Sequence, residues 1–173
     1  VSQIQAPVTS RKCGLTSVNK IGRIMIYPDI EELTRVAKLL RQDVVRMINK
    51  AKSGHPGGAL SSADIITTLY FGNFLKVNPR DPYANDRDLF ILSAGHYCPI
   101  WYAALARKGF FDVDELLSLR QFGSRLLGHP KLKSLPGIEN SGGSLGQGFS
   151  IACGYAFAAQ QFGTLEQEVY CLL

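Results

Sequence analysis

Histidine is the side chain most readily poised to move protons near neutral pH, and this chain of 173 residues contains three. They are His55, His96 and His129, and each directly follows a glycine. With 17 glycines in the chain, random placement would give this pattern about once in a thousand sequences. A glycine permits backbone angles that other residues resist and lets a ligand approach closely. One such pair would indicate a histidine in a turn, but three pairs, with no other histidine in the chain, favour a functional role for these residues.

A glycine-rich segment, G-G-S-L-G-Q-G over residues 142–148, is the second candidate for binding a ligand. It leads into a stretch with the spacing of a helix, and N–H groups at a helix start can face a phosphate or a polar ring. Its glycines match neither the P-loop pattern nor the dinucleotide-binding pattern. Two interpretations therefore stay open: contact with a ligand, or tight packing of the helix against a sheet.

Charged residues offer fewer candidates. Arg120, Gln121 and Arg125 precede His129, and a planar guanidinium suits the oxygens of a phosphate. We therefore consider Arg125 a candidate for binding a substrate phosphate, with a solvated helix face as the alternative. The charged run at residues 86–88 predicts structural ion pairs before a strand. No paired carboxylates and no Ser-His-Asp set are recognisable in the sequence.

The four cysteines are spaced singly, which does not predict a zinc site. They are Cys13, Cys98, Cys153 and Cys171. Cys153 and Cys171 have apolar neighbours and are expected to be small buried side chains. Free thiols are typical of a reducing compartment, so we expect a cytoplasmic protein.

The elements that position the histidines can be predicted from hydrophobic spacing. Asp29 begins a long helical pattern that is expected to end near Gly54, so His55 would lie just past a helix end. The apolar run L-F-I-L, residues 89–92, predicts a strand buried on both faces. His96 follows four residues beyond it, where ligands bind in open α/β sheets.

The remaining segments alternate between helical and strand patterns. Helices are predicted from Ser61 or Ser62 to Phe74, over 97–108, over 112–122 and over 149–162, and a strand over 168–173. This alternation predicts an α/β fold, part of a doubly wound and mostly parallel sheet with helices on both faces.

The net charge of +5 is concentrated at the start of the chain. Residues 1–28 carry four basic residues and no acid, which leaves +1 (five minus four) for residues 29–173. The four are Arg11, Lys12, Lys20 and Arg23. We therefore expect a basic leader over 1–28, a folded part over 29–173, and no nucleic-acid partner. No run of about 20 apolar residues and no signal peptide pattern occurs, so no membrane partner is expected.

Four motifs in this order resemble those of the transketolase family of thiamine-diphosphate enzymes. They read S-G-H-P-G-G-A-L-S-S-A-D-I, D-R-D-L-F-I-L-S-A-G-H, L-R-Q-F-G-S-R-L-L-G-H-P and G-I-E-N-S-G-G-S-L-G-Q-G. The resemblance covers residues 30–173 and is strongest to the N-terminal subunit of split transketolases. Ser144 stands where the longer, single-chain enzymes usually have proline.

The resemblance implies transfer of a two-carbon ketol unit from a ketose phosphate to an aldose phosphate. It implies catalytic roles for all three histidines: His55 in proton transfer, His96 near the diphosphate and the substrate channel, and His129 at a substrate hydroxyl. With Arg125, which is a candidate from its residue type and position alone, the predicted substrate-binding set is His55, His129 and Arg125. The cofactor-binding set is His96, Gly143, Ser144 and Leu145, with the backbone of Gly143 and Leu145 against the aminopyrimidine ring.

The resemblance also implies groups that these residues do not supply. Mg²⁺ would be held by a G-D-G motif and a later asparagine beyond Leu173, so the diphosphate-binding domain is expected to be incomplete at its C-terminus, with no metal ligand among these residues. An activating glutamate would come from a pyrimidine-binding C-terminal domain or subunit, in a homo-oligomer or a heterotetramer. The fragment alone is therefore expected to be inactive. Two alternatives are a non-catalytic interaction module and a related thiamine-diphosphate enzyme for another sugar.

Overall fold

The computed structural model describes residues 16–18, 24–26, 29–162 and 167–173. Two short strands, β1 (Thr16–Val18) and β2 (Ile24–Ile26), pair antiparallel with Thr16 opposite Ile26. The four basic residues of the expected leader, and Cys13, lie outside the described residues. The division of the chain at residue 28 therefore stays a prediction.

Helix α1 (Ile30–Ala51) is the long helix that the apolar spacing predicts. The side chain of Asp29 caps it and accepts the Glu31 N–H at 2.9 Å, which satisfies one of the open donors of the first turn. Its buried face contributes Leu40, Val44 and Met47 to the core.

The helix predicted from Ser61 or Ser62 to Phe74 is in fact two helices, α2 (Pro56–Ser61) and α3 (Ala63–Phe71). Pro56 starts α2, because its fixed φ suits the first helical position. The hydroxyl of Ser62 then donates to the Gly58 carbonyl at 2.7 Å and separates the two helices. His55 thus lies between two helices, since α1 ends before it and α2 begins directly after it.

Strands β3 (Leu89–Leu92) and β4 (Val169–Leu172) confirm the two predicted strands. They pair in parallel, with Leu89 opposite Val169 and Leu92 opposite Leu172. All four residues of β3 are buried. Helix α5 (Gln147–Phe162) packs against both strands, and it begins two residues earlier than predicted.

Helix α4 (Cys98–Lys108) ends at Gly109 as predicted, with Gly109 at φ +97. The helix predicted over 112–122 is only a short 3₁₀ helix, Val113–Ser118. It stops because Arg120 takes a φ of +59 and its N–H bonds to the Leu126 carbonyl at 2.8 Å. The chain therefore turns back toward His129 instead of continuing the helix.

The hydrophobic core is formed by α1, α3 and α4 together with β3. At its centre the indole N–H of Trp101 donates to the Tyr70 hydroxyl at 2.7 Å. Phe90 of β3 meets Trp101 edge-on, with ring centroids 5.2 Å apart. Aromatic pairs in this geometry add to the stabilisation from burial, so β3 is fixed firmly against α4.

The charged run at residues 86–88 has the structural role predicted for it. Asp86 pairs with Lys76 at 2.6 Å, and Arg87 pairs with both oxygens of Glu139 at 2.7 and 3.0 Å. Asp88 is buried and accepts the N–H groups of Lys76 and Glu168. Since Glu168 directly precedes β4, these contacts hold the starts of both strands together.

The expectation that Cys153 is buried is wrong. Cys153 is exposed and Cys171 is half-buried, whereas Cys98 is buried. Cys153 belongs to a face of α5 that the described residues leave uncovered, where Phe149 and Phe157 are 52% and 63% exposed. In the part of the chain that is described, no helix has the length and apolar character needed to cross a membrane.

Candidate active site

The rings of His55 and His96 meet edge to face, with their centroids 5.3 Å apart and their planes at 78°. His96 belongs to a 3₁₀ helix, Gly95–Tyr97, that directly follows β3. His55 lies in the short loop between α1 and α2 and is exposed. The carboxyl end of β3 therefore carries one histidine to meet the other, at the edge of the sheet where the sequence predicts a ligand site.

His129 belongs to the same cluster. Its partial burial lowers the pKa of its imidazole, and the nearby positive charges of Arg120, His55 and His96 lower it further. Arg120 also links the loops of His55 and His129, since it donates to Ser53 Oγ at 2.8 Å and to the Gly128 carbonyl at 3.4 Å, although 74 positions (129 minus 55) separate the two histidines in the sequence. The structure thus brings all three histidines together.

The glycine before His96 provides a close contact between two loops. A Cβ on Gly95 would lie 3.0 Å from the backbone of Gly142 and Gly143, and a Cβ on Gly142 would lie 2.9 Å from Gly95 Cα and 3.0 Å from Pro130. Neither position can accept a side chain without moving backbone. The glycine-rich loop is therefore packed directly on the turn that carries His96 and on the residue after His129.

The other two glycines that precede histidines have their own reasons. A Cβ on Gly128 would lie 2.7 Å from Arg120 Nε, so the glycine leaves room for that guanidinium. Gly54 has a φ of +151 and closely approaches Ile48 of α1. These glycines serve packing and backbone geometry between loops, rather than the open approach of a ligand that the sequence interpretation emphasised.

Both interpretations of the glycine-rich segment apply, to different glycines. Gly142 and Gly148 are packing positions, since a Cβ on Gly148 would lie 2.5 Å from Ser93 Cα. Gly143 and Gly146 have open space where a Cβ would be. The predicted cofactor-binding residues Gly143, Ser144 and Leu145 are all exposed, and the loop leads directly into the first turn of α5. The loop is thus packed against the protein at Gly142 and Gly148, whereas its residues 143–145 are free to contact a ligand.

Asn140, which sequence reasoning missed, fixes the start of this loop to β3. Its side chain is 2% exposed; it accepts the Leu92 N–H at 3.1 Å and donates to the Leu92 carbonyl at 3.0 Å. The amide group therefore pairs with β3 as a neighbouring strand would. The sequence shows only an asparagine two positions before a glycine pair, and its burial could not be predicted from that.

An anionic cofactor fits the groups present at this end of β3. The Ser93 hydroxyl is buried and has no hydrogen-bond partner among the described residues, and it lies against Gly148 in the first turn of α5. A helix start favours a phosphate through its N–H groups and its dipole. The three histidines add groups that carry positive charge when protonated. Among the described residues, no cluster of three His, Cys, Asp or Glu side chains could hold a metal ion.

Arg125 lies in a different environment from the one expected of a phosphate ligand. Its guanidinium donates to both carboxylate oxygens of Glu115 at 2.9 and 2.8 Å, on the 3₁₀ helix. Arg120 instead reaches the loops of two histidines: it donates to Ser53 Oγ at 2.8 Å and to the Gly128 carbonyl at 3.4 Å. Within the described residues, Arg120 is therefore closer to the histidine cluster than Arg125.

Comparison with known proteins identifies the family of this domain. Residues 32–169 match the family described as transketolase, thiamine diphosphate binding domain. The chain belongs to this family.

Individual relatives agree with the family. The chain is 41% identical to a transketolase of Treponema pallidum (strain Nichols), over 80% of this chain and 22% of that protein. It is 40% identical to a 6-deoxy-6-sulfo-D-fructose transketolase subunit of Clostridium sp. (strain MSTE9), over 82% of this chain and 51% of the relative. Its fold matches the transketolase structure from Leishmania mexicana with a TM-score of 0.75 and 34% identity, over 80% of this chain and 22% of that one. The fold is therefore that of the thiamine-diphosphate-binding domain.

Proposed function

We propose that the chain is the N-terminal part of a transketolase-type enzyme that transfers a two-carbon ketol unit from a ketose phosphate to an aldose phosphate. The observation that carries this proposal is the meeting of His55, His96 and His129 at the carboxyl end of β3, beside the glycine-rich loop. Histidine imidazoles within one cleft can hold, donate and accept the protons that such a transfer moves.

Thiamine diphosphate would supply the carbon nucleophile for this reaction. His96 and the first turn of α5 would hold its diphosphate, because an imidazole N–H can donate to a phosphate oxygen and a helix start favours negative charge. The exposed backbone of Gly143 and Leu145 would contact its aminopyrimidine ring, with Ser144 between them. The packing of Gly142 on Gly95 keeps these two parts of the binding site in a fixed relation.

His55 and His129 would then have different roles toward the sugar substrate. His55 is the proposed group for proton transfer at the substrate carbonyl and hydroxyl oxygens, since it is exposed next to His96. His129 would hydrogen-bond a substrate hydroxyl. Its lowered pKa favours the neutral imidazole, which can accept a hydroxyl hydrogen at one nitrogen and donate at the other.

A pyrimidine-binding partner is part of the proposal. The chain spans 22% of the Treponema pallidum relative, and 51% of a relative that is itself described as a subunit. Two cavities among the described residues, of about 420 and 460 Å³, lie elsewhere and are not lined by the three histidines. We therefore propose that another domain or subunit closes the cleft, supplies the activating glutamate and assembles with this chain as an oligomer.

Three further points complete the proposal. Mg²⁺ would be held by residues outside these and would offset the negative charge of the diphosphate, and the isolated chain would be inactive. The substrates would be sugar phosphates. The proposed compartment is the cytosol, where a thiol such as Cys98 stays reduced.

A second candidate substrate class is favoured by one relative. The Clostridium subunit is named for 6-deoxy-6-sulfo-D-fructose, and this chain covers a larger share of it than of the Treponema pallidum transketolase. A sulfonated ketose carries its negative charge where a ketose phosphate carries its phosphate. Transfer from the sulfonated donor is therefore the alternative to test beside transfer from a phosphorylated one.

The test combines binding and turnover. Calorimetry measures thiamine diphosphate with Mg²⁺ binding to the chain alone and with a pyrimidine-binding partner; ketol transfer is then assayed with xylulose 5-phosphate and with 6-deoxy-6-sulfo-D-fructose as donors. We expect transfer that requires both partner and cofactor and that falls at least about 100-fold in His55→Ala, the usual contribution of a proton-transfer group. Cofactor affinity should change far less. No transfer from either donor, with the partner and cofactor bound, would reject the proposal and favour a non-catalytic interaction module.

A further inference from the structure

Helix α4 is buried along most of its length, yet two of its side chains donate hydrogen bonds to the loop that carries His129. Cys98 and Tyr102 are both 0% exposed, and their spacing of four residues puts them on one face of the helix. The Tyr102 hydroxyl donates to the Leu127 carbonyl at 3.0 Å. The Cys98 thiol lies 3.3 Å from the Gly128 carbonyl and 3.5 Å from the Leu127 carbonyl.

The same helix is joined directly to His96. The 3₁₀ helix that contains His96 ends at Tyr97, and Cys98 is the first residue of α4. One rigid element therefore carries His96 at its start and holds the two residues that precede His129. Tyr97 adds to this rigidity, because its ring stacks edge-on with His96 at 4.3 Å and closely covers Gly58.

The residues just before this point are held by other contacts: Leu126 is buried, its carbonyl accepts the Arg120 N–H at 2.8 Å, and the Leu127 N–H donates to the Arg125 carbonyl at 3.2 Å. The carbonyl groups of Leu127 and Gly128 have fewer partners among the described residues. Leu127 is 38% exposed, and Gly128 has no side chain. The Gly128 carbonyl also accepts from Arg120 at 3.4 Å, at the limit of hydrogen-bond distance. The orientation of the Leu127 and Gly128 peptides therefore depends on the two donors from α4.

We propose that Cys98 and Tyr102 are positioning residues that hold the loop of His129 in place relative to His96. Neither side chain touches a reacting group, and the thiol acts as a hydrogen-bond donor rather than as a nucleophile or a metal ligand. Burial raises the pKa of Cys98 to about 12, so the sulfur keeps its hydrogen at neutral pH. The catalytic consequence rests on the proposed function, whereas the positioning itself does not.

Nuclear magnetic resonance titration of His129 in the full 173-residue chain tests the positioning. Cys98→Ala and Tyr102→Phe each remove one donor, and each should raise the pKa of His129 toward the ordinary value, because a looser loop moves the ring away from the neighbouring groups and charges that lower it. Cys98→Ser keeps a donor and should stay closer to the parent chain. The matched control is Tyr70→Phe, which removes a buried hydroxyl in the core, away from the loop.

A second arm measures ketol transfer in the complete enzyme. Loss of one hydrogen bond corresponds to about a two- to tenfold change, which should appear as a higher KM with a smaller change in kcat, since His129 is the proposed contact to a substrate hydroxyl. If the parent enzyme shows no transfer, the proposed function fails, and the titration still decides the positioning. If Cys98→Ala or Tyr102→Phe does not fold, the titration of the other variant tests the positioning. A His129 titration that is the same in Cys98→Ala, Tyr102→Phe and Tyr70→Phe would overturn the inference.

Discussion

Gly95 and Gly142 lie so close that a Cβ on Gly142 would stand 2.9 Å from Gly95 Cα. This contact joins the turn of His96 to the glycine-rich loop. Residues that are 47 positions apart (142 minus 95) in the sequence thus form one surface of the candidate site. The close packing at this site therefore depends on glycines, which have no side chain, as well as on the side chains of the other residues.

Replacing Gly142 with Ala should separate the loop from the turn. We expect a loss of about 1–3 kcal/mol in the free energy of unfolding, the usual cost of overpacking, and weaker binding of thiamine diphosphate. Chemical denaturation and calorimetry measure the two effects. The matched control is Gly154→Ala in α5, where open space surrounds the Cβ position and alanine should stabilise the helix by up to about 1 kcal/mol. Equal effects of both substitutions would contradict this interpretation of the contact.

Arg120 should tune the protonation of His129. Its positive charge disfavours the protonated imidazole, so Arg120→Gln should raise the pKa of His129 toward the ordinary value. Arg125→Gln is the control, because the charge of Arg125 is paired with Glu115 and is not among the causes of the shift. Histidine titration by nuclear magnetic resonance distinguishes the two variants, and a larger shift in Arg125→Gln would contradict the assignment.

The lowered pKa of His129 also fixes the direction of a stability change. The unfolded chain binds a proton on this histidine at a higher pH than the folded chain does. The contribution of His129 to stability is therefore present above the ordinary histidine pKa of about 6.5 and is lost as the pH falls from that value through the lower, folded pKa. Unfolding measured across this range should lose part of its pH dependence in His129→Gln.

The length and placement of the main elements could be predicted from the sequence, because burial imposes a period on apolar residues. Helix α1, strands β3 and β4 and the end of α4 at Gly109 follow from such patterns. The start of α2 was missed because Pro56 and the glycines after it resemble a turn. The helix over 112–122 was predicted too long because a turn just after it, closed by the Arg120 N–H on the Leu126 carbonyl, ends the helical pattern early.

The repeated glycine predicted that the histidines are functional, and only the resemblance to a known family implied that they share one site. The reasons for those glycines could not be predicted. Each reason is a neighbour from another part of the chain: Gly142 for Gly95, and Arg120 for Gly128. The same limit applies to Cys98, whose partners are carbonyl groups that the sequence does not display. Arg125 and Arg120 look equivalent in the sequence, and only the position of Glu115 separates their environments.

Substitution of Asn140 should destabilise the carboxyl end of β3. Asn140→Asp removes the donor to the Leu92 carbonyl and places a buried acidic group beside it. We expect a loss of about 1–3 kcal/mol of stability, the cost of an unsatisfied buried group. The substitution should accelerate hydrogen exchange more at the Leu92 amide than at the amides of α1. Unchanged exchange at Leu92 would show that the paired hydrogen bonds do not hold this end of the strand.

The buried ion pair between Asp43 of α1 and Arg107 of α4 gives a contrasting prediction. Asp43 is 5% exposed and accepts two hydrogen bonds from Arg107, whose side chain is 27% exposed. Arg107→Leu leaves that buried carboxylate with only the longer contact to Arg46, at 3.8 Å, and should cost about 3 kcal/mol. Arg35→Gln, which breaks the exposed pair with Glu32, should cost less than about 1 kcal/mol. Comparable unfolding midpoints for the two variants would contradict this difference.

Thiol labelling should follow burial along the chain. Cys153 is exposed and should react first, and Cys171 more slowly, because burial and the nearby Cys153 thiol raise its pKa. Cys98 should react only after unfolding. Mass spectrometry of labelled peptides identifies each site. Early labelling of Cys98 in the folded chain would show that α4 opens far more readily than its burial implies.

The parallel pairing of β3 with β4 has a consequence for how the site assembles during folding. The two strands are 80 residues apart in register, and the loop that their pairing closes contains His96, His129 and the glycine-rich segment. Closing so long a loop has a large entropic cost before any contact offsets it. The local helices α1 to α4 can form early, whereas the cleft takes its final shape only when the last strand of the described chain reaches β3.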